Sequence, residues 1–201
     1  MISILTGSFS FFLLLAADWA EAKTHPATSA ICRSLAYVFC ACAFLTILFF
    51  PIDPAPPPFA SPFALRLVGA LVALSSFVLL ASSLFLELRG TRSSGRARSL
   101  VTDGSYALSR HPGVLWLFLL QSSLVLVSGS WLLLMALPVW TGANLLLVAI
   151  EDKVFFPRIF GQLYRSYQRT VPFLIPNRES AHGCLAKLAR TWPMSKYFRR
   201  K

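Results

Sequence analysis

The stretch GVLWLFLLQSSLVLV (Gly113–Val127), SGS (Ser128–Ser130) and WLLLMALPVWTGANLLLVAI (Trp131–Ile150) decides the fold. A helix that crosses the hydrocarbon of a bilayer needs about 20 apolar residues, with a range of about 17–25. The second run meets that length easily. The first is short, and must borrow flanking residues or sit where the bilayer is locally thin. Only Ser128-Gly129-Ser130 separates them, so the pair is expected to form a tight antiparallel helical hairpin. Composition agrees: of 201 residues, 56% are hydrophobic and 13% charged. A soluble domain of this length needs far more polar surface, so lipid is the expected solvent.

Three further apolar stretches precede the hairpin: Ile2–Ala17, Ser34–Phe50 and Phe63–Leu86. The fold expected is therefore all-α, a polytopic transmembrane helical bundle of about five spans. The first stretch lacks the positive region that opens a secretory signal, and reads as a retained helix although Ala20-Glu21-Ala22 faintly resembles a cleavage site. No internal repeat is visible. Cys32, Cys40, Cys42 and Cys184 form neither a CxxC pair nor a Cys/His metal pattern. Three of them lie in or beside an apolar run and read as small hydrophobes, with no disulfide framework and no metal site expected.

The net charge of +11 is unevenly placed. From Lys153 to Lys201 there are eleven Lys or Arg and one acid, Glu179, and a second cluster joins Arg89, Arg92, Arg96, Arg98 and Arg110. In a membrane protein such loops stay cytoplasmic and lie against anionic headgroups, so anionic lipid is the expected partner and nucleic acid is not. The segment between the first two helices carries Lys23 and Arg33. Pro51–Pro62 has six prolines and no Lys or Arg, and reads as a stiff extended connector. Positive segments alternate. Five spans then put the N-terminus outside, and the arginine-rich loop and the tail together in the cytoplasm.

Those two segments hold the chemistry. In LVTDGSYALSRHP (Leu100–Pro112), Asp103-Gly104 signals a turn and Pro112 suits the first turn of a helix. Arg110 and His111 thus sit at a helix N-terminus, where free N–H groups and the helix dipole favour an anion. Alone, the pair reads equally as a topology arginine beside a solvated histidine. Glu151-Asp152 follows the fifth helix, where the dipole disfavours an acid by about 0.3–1 kcal/mol. Two acids there imply a compensating cation, from the protein or from a ligand, or a solvated interfacial pair beside Lys153. In FGQLYRSYQRTVPFLIP (Phe160–Pro176), Tyr164 and Tyr167 share one helical face, Arg165 and Arg169 form a basic i,i+4 face, and the prolines stop the helix. An interfacial amphipathic helix explains that block without any ligand.

Taken together, L-V-x-x-G-x-Y-x-x-x-R-H-P, an acidic pair after a hairpin, and F-G-x-x-Y-x-x-Y-x-x-x-V-P-x-x-I-P resemble the isoprenylcysteine carboxyl methyltransferase and phospholipid methyltransferase group of integral membrane enzymes. The resemblance covers residues 98–176 and rests on the order and spacing of the blocks. It departs from the family where H-P-x-Y-x-G is replaced by Pro112-Gly113-Val114-Leu115-Trp116, and where a Glu-Glu pair becomes Glu151-Asp152. It implies a division into N-terminal transmembrane helices (1–88), a methyltransferase core (89–176) and a basic amphipathic tail (177–201). It also implies a cytoplasmic C-terminal segment that binds S-adenosylmethionine, with a lipophilic methyl acceptor arriving from the bilayer. Carried over, Val101, Tyr106, Arg110, His111 and Pro112 bind the cofactor, Glu151 and Asp152 form the acidic side, and Tyr164 and Tyr167 close over it.

Methyl transfer from a sulfonium is an in-line displacement that needs alignment and dryness above all. A prenylcysteine-type carboxylate acceptor needs a cation to place it, for which Arg110 is the candidate, backed by Arg158 or Arg165. A lipid-headgroup amine would need a base, for which Glu151 is the candidate. Two alternatives stay open. One is an NADPH-dependent membrane reductase of the sterol or steroid type, which also carries an R-H-P block. The other is a non-catalytic membrane scaffold that keeps the fold.

Overall fold

A computed structural model describes residues 2–23, 25–49, 62–87 and 100–191. The proline-rich connector up to residue 61, Arg89, Arg92, Arg96, Arg98 and residues 192–201 lie outside the described residues. The described chain is helical throughout, without a strand among those residues. The helices are α1 (Ile2–Ala22), α2 (Pro26–Phe49), α3 (Phe63–Ala81), α4 (Pro112–Ser128), α5 (Trp131–Ile150), α6 (Phe156–Phe160), α7 (Gln162–Thr170) and α8 (Arg178–Thr191). A π-helical turn, Ser82–Glu87, extends α3, and another, Glu151–Phe155, joins α5 to α6.

Four helical columns are long and apolar enough to cross a membrane: Ile2–Ala22, Pro26–Ile47, Phe63–Leu84 and Trp131–Phe160. The chain is thus read as a multi-pass membrane protein. α4, at 17 residues, is the short apolar helix that the sequence anticipates. Two sequence boundaries need correction. The second helix starts at Pro26 rather than Ser34, because proline suits the first turn of a helix and Arg33 is held by partners that a solvated loop would not supply. Arg33 is therefore not a loop charge. The fifth helix does not end at Glu151-Asp152 either, since the helical column runs on to Phe160.

By compactness the chain divides into two units, each built from separated segments. One joins Met1–Phe77 with Leu117–Ile159, and the other joins Val78–Trp116 with Phe160–Lys201. The first is the helical bundle. Its core is Phe11, Ala43, Ile47, Val125, Leu133, Ala136, Trp140 and Leu147. Trp140 is the hub: its indole N–H donates to the Ile4 carbonyl at 3.1 Å, and its ring meets Phe44 at 4.9 Å between centroids. Gly7 makes this possible, because a Cβ there would overlap the indole ring. Outward residues are large and apolar, with Leu71 60%, Leu74 64% and Leu146 64% exposed, as a lipid-facing surface requires.

The α4–α5 turn shows how three residues reverse a helix. Gly129 adopts φ +64°, a left-handed conformation that few other residues take, and its N–H caps the Val125 carbonyl at 2.8 Å. Ser130 then opens α5 by accepting from the Leu133 N–H at 3.3 Å. The hairpin expected from Ser128-Gly129-Ser130 is thereby built from a C-cap and an N-cap back to back.

Candidate functional site

The R-H-P segment lies wholly in the second unit, and backbone geometry fixes it. Gly104–Ala107 forms a 3₁₀ turn whose Ser105 carbonyl accepts from the N–H groups of Leu108 (3.1 Å) and Ser109 (3.3 Å). The chain then clasps the segment after α7, more than sixty residues away in sequence. The Arg110 N–H donates to the Pro172 carbonyl at 3.0 Å, and the Ser109 hydroxyl donates to the Phe173 carbonyl at 3.1 Å. The Tyr167 hydroxyl donates to the Tyr106 carbonyl at 2.6 Å. The same Ser109 oxygen also accepts from the His111 N–H at 3.3 Å, so one wholly buried hydroxyl ties both strands of the clasp.

Rings close the clasp. Phe173 takes the His111 imidazole edge-on at 5.2 Å, and the Arg110 guanidinium lies 5.6 Å from the same ring. Tyr164 is 1% exposed and meets Tyr167 at 5.9 Å and Phe160 at 6.4 Å between centroids. The expectation of one shared face for the two tyrosines is met: both point inward, leaving Arg165 and Arg169 exposed. From the last helix, the Cys184 thiol reaches the Gly104 carbonyl at 3.5 Å. His111 and Pro112 are buried, while Val101, Tyr106 and Arg110 are half-buried.

Glu151 and Asp152 belong to the first unit. They open the π-helical turn in which the Phe156 N–H reaches back five residues to the Glu151 carbonyl. Such turns insert one residue into the helical register and recur at functional sites. Here the turn buries Asp152, 7% exposed, while Glu151 is half-buried. It packs against α1. Near that end, one Nη2 of Arg33 donates at 2.9 Å to both Asp18 Oδ1 and Glu21 Oε2. The Glu151 carboxylate adds to the negative field around the same guanidinium. The sequence asks for a compensating cation, and Arg33 is a protein cation near enough to feel Glu151.

Of the residues singled out from the sequence, Val101, Tyr106, Arg110, His111, Pro112, Tyr164 and Tyr167 thus fall in one compact unit, and Glu151 and Asp152 in the other. Sequence reasoning missed Ser109, Phe173 and Cys184, which act largely through backbone carbonyls that no side-chain pattern encodes. It also missed Asp18, Glu21 and Arg33 as partners. Their signal was present: charges set in or beside apolar helices are costly enough that they pair. Among the described residues no cluster of His, Cys, Asp and Glu is arranged to hold a metal ion. No protein-family model matches the chain, and no curated protein or solved structure matches it either.

Proposed function

We propose that the protein is a membrane methyltransferase that uses S-adenosylmethionine to methylate a lipophilic acceptor, a prenylcysteine-type carboxylate or a lipid headgroup. The observation that carries this reading is the clasp. The two motif blocks of the resemblance, Leu100–Pro112 and Phe160–Pro176, are bonded to one another through Tyr106–Tyr167, Arg110–Pro172 and Ser109–Phe173. A topology signal and an unrelated amphipathic helix have no reason to be joined in this way.

The residues present fit the cofactor's amino-acid portion. Arg110 brings a guanidinium to the start of the 17-residue α4, where the first N–H groups lack helical acceptors, and both features favour a carboxylate. The cation–ring contact with Phe173 fixes that guanidinium on one side. Arg110 and the start of α4 would hold the cofactor's carboxylate, and the group would supply an activated methyl to the acceptor's electron pair with the thioether as leaving group. The protein's own tasks are to hold the reactants in line and to keep water out. Buried Tyr164, Tyr167 and His111 are suited to the second task. Glu151, on its π turn, is the candidate base for an amine acceptor and is to be tested separately.

Equilibrium binding of labelled S-adenosylmethionine to the full chain in nanodiscs tests the reading. Arg110→Ala is expected to weaken binding at least tenfold, NADPH is expected not to compete, and Arg169→Ala on the exposed face is expected to leave binding unchanged. Unchanged binding in Arg110→Ala, or competition by NADPH, would sink it.

A further inference from the structure

In the apolar helices of the bundle, several hydroxyls are satisfied by their own backbone. Thr6, Ser8, Thr46, Ser75, Ser123 and Ser128 each donate to the carbonyl four residues earlier, at 2.6–3.0 Å. Such back-bonding lets a polar side chain enter hydrocarbon at little cost. Gln121 breaks the pattern. It sits at the middle of α4, is 2% exposed, and neither its amide oxygen nor its amide nitrogen has a hydrogen-bond partner among the described residues. The hydroxyls of Ser122, next to it on α4, and of Thr141 on α5 are likewise buried without a partner.

Counted in residues from the turn, Gln121 and Thr141 differ by one helical turn. Counting from Gly129, Gln121 lies as far back along α4 as Leu137 lies forward along α5. Thr141 is one helical turn beyond Leu137, about 6 Å along the axis. One turn from Gln121 towards the hairpin, Val125 belongs to the apolar core with Leu133, Ala136 and Trp140. A primary amide with two donor hydrogens and an acceptor oxygen is thus held, unmatched, beside a hydrophobic interior. An unmatched amide in such surroundings is disfavoured relative to leucine of similar size unless something meets it. Polar side chains retained within membrane helices mark ligand paths and binding sites.

We propose that Gln121 is the polar end of an intramembrane binding site for a membrane-soluble alcohol. A hydroxyl matches the amide on both counts, donating to Oε1 and accepting from Nε2, and an aliphatic body suits the apolar residues that adjoin it. Entry is from the bilayer, between helices of the bundle. This site is independent of the cofactor reading: every residue in it belongs to the first unit, and its test needs no S-adenosylmethionine.

The probe is a diazirine-bearing long-chain alcohol, photolysed with the full-length protein in nanodiscs, with its methyl ether and the matching fatty acid as controls. The alcohol is expected to label the peptide spanning Gly113–Ile150 at least tenfold more than the ether, and Gln121→Leu is expected to abolish that excess. Stronger labelling by the fatty acid would replace the hydroxyl by a carboxyl group and overturn the assignment to an alcohol. Thermal unfolding supplies the second readout. Gln121→Leu is expected to raise the melting temperature of the probe-free protein, since it removes the unmatched amide, and to lose the further rise that the alcohol gives the wild type. Equal labelling of wild type and variant overturns the proposal. So does a lower melting temperature for the variant without probe, which would mean that the amide is satisfied within the chain. A stabilised variant with no alcohol effect on the wild type would assign the amide to water and also overturn it.

Discussion

The two units hold themselves together by different means. The bundle relies on side chains: an indole seated over a glycine, a cluster of aliphatic residues, and a single guanidinium shared by two carboxylates. The unit around the R-H-P segment relies on backbone carbonyls, those of Gly104, Tyr106, Pro172 and Phe173, each taken by a donor from a distant part of the chain. The contrast has a physical cause. Inside lipid a helix satisfies its own backbone, so only side chains remain to join one helix to the next. Outside regular helix, backbone groups need partners, and a segment that supplies them can be held in one irregular conformation. The second arrangement is the one that holds the candidate site residues Arg110 and His111 in place.

Substitutions can break or sharpen this comparison. The largest effect is expected from Arg33→Ala, which strands Asp18 and Glu21, with side chains 4% and 23% exposed, against apolar helices. Removing one partner of a buried ion pair costs about 3–5 kcal/mol. Thermal unfolding in detergent should show a fall of that order, and Asp18→Asn combined with Glu21→Gln in the Arg33→Ala background should recover part of it.

Gly7→Val comes next. Its added carbons meet the Trp140 ring, and overpacking of this kind costs about 1–3 kcal/mol. Its signature is a shifted tryptophan emission, with cofactor binding unchanged if the units behave independently.

Tyr167→Phe is expected to cost only about 1 kcal/mol, the net worth of the hydrogen bond to the Tyr106 carbonyl. Yet it should weaken cofactor binding more than Gly7→Val does. A large stability loss with normal binding would reverse the assignment of roles. The smallest effect belongs to Leu146→Ala on the outward face of α5, 64% exposed, where a change within about 0.5 kcal/mol is expected by the same unfolding measurement.

Much of the bundle was legible before any coordinates. Apolar length gave the long helices, and the shortness of Ser128-Gly129-Ser130 gave the hairpin. Pro112 marked the start of α4, and Pro172 the end of α7. What escaped depends on hydrogen-bond register or on distant partners. A π turn at Glu151 is a change in which carbonyl each N–H finds, and residue identity does not record it. Arg33 looked like a loop charge because hydropathy alone cannot see Asp18 fifteen residues earlier. The inward face of Tyr164 and Tyr167 was readable from helical spacing, whereas the carbonyl that receives the Tyr167 hydroxyl was not.

The central claim is most directly tested by incubating the full-length protein in nanodiscs with methyl-labelled S-adenosylmethionine and a panel of prenylcysteine, phospholipid and amine acceptors. Transfer of label to at least one lipid-soluble acceptor, lost in Arg110→Ala, is the predicted result. Absence of saturable cofactor binding at millimolar concentration, in a preparation shown to be folded by its cooperative thermal transition, would contradict it.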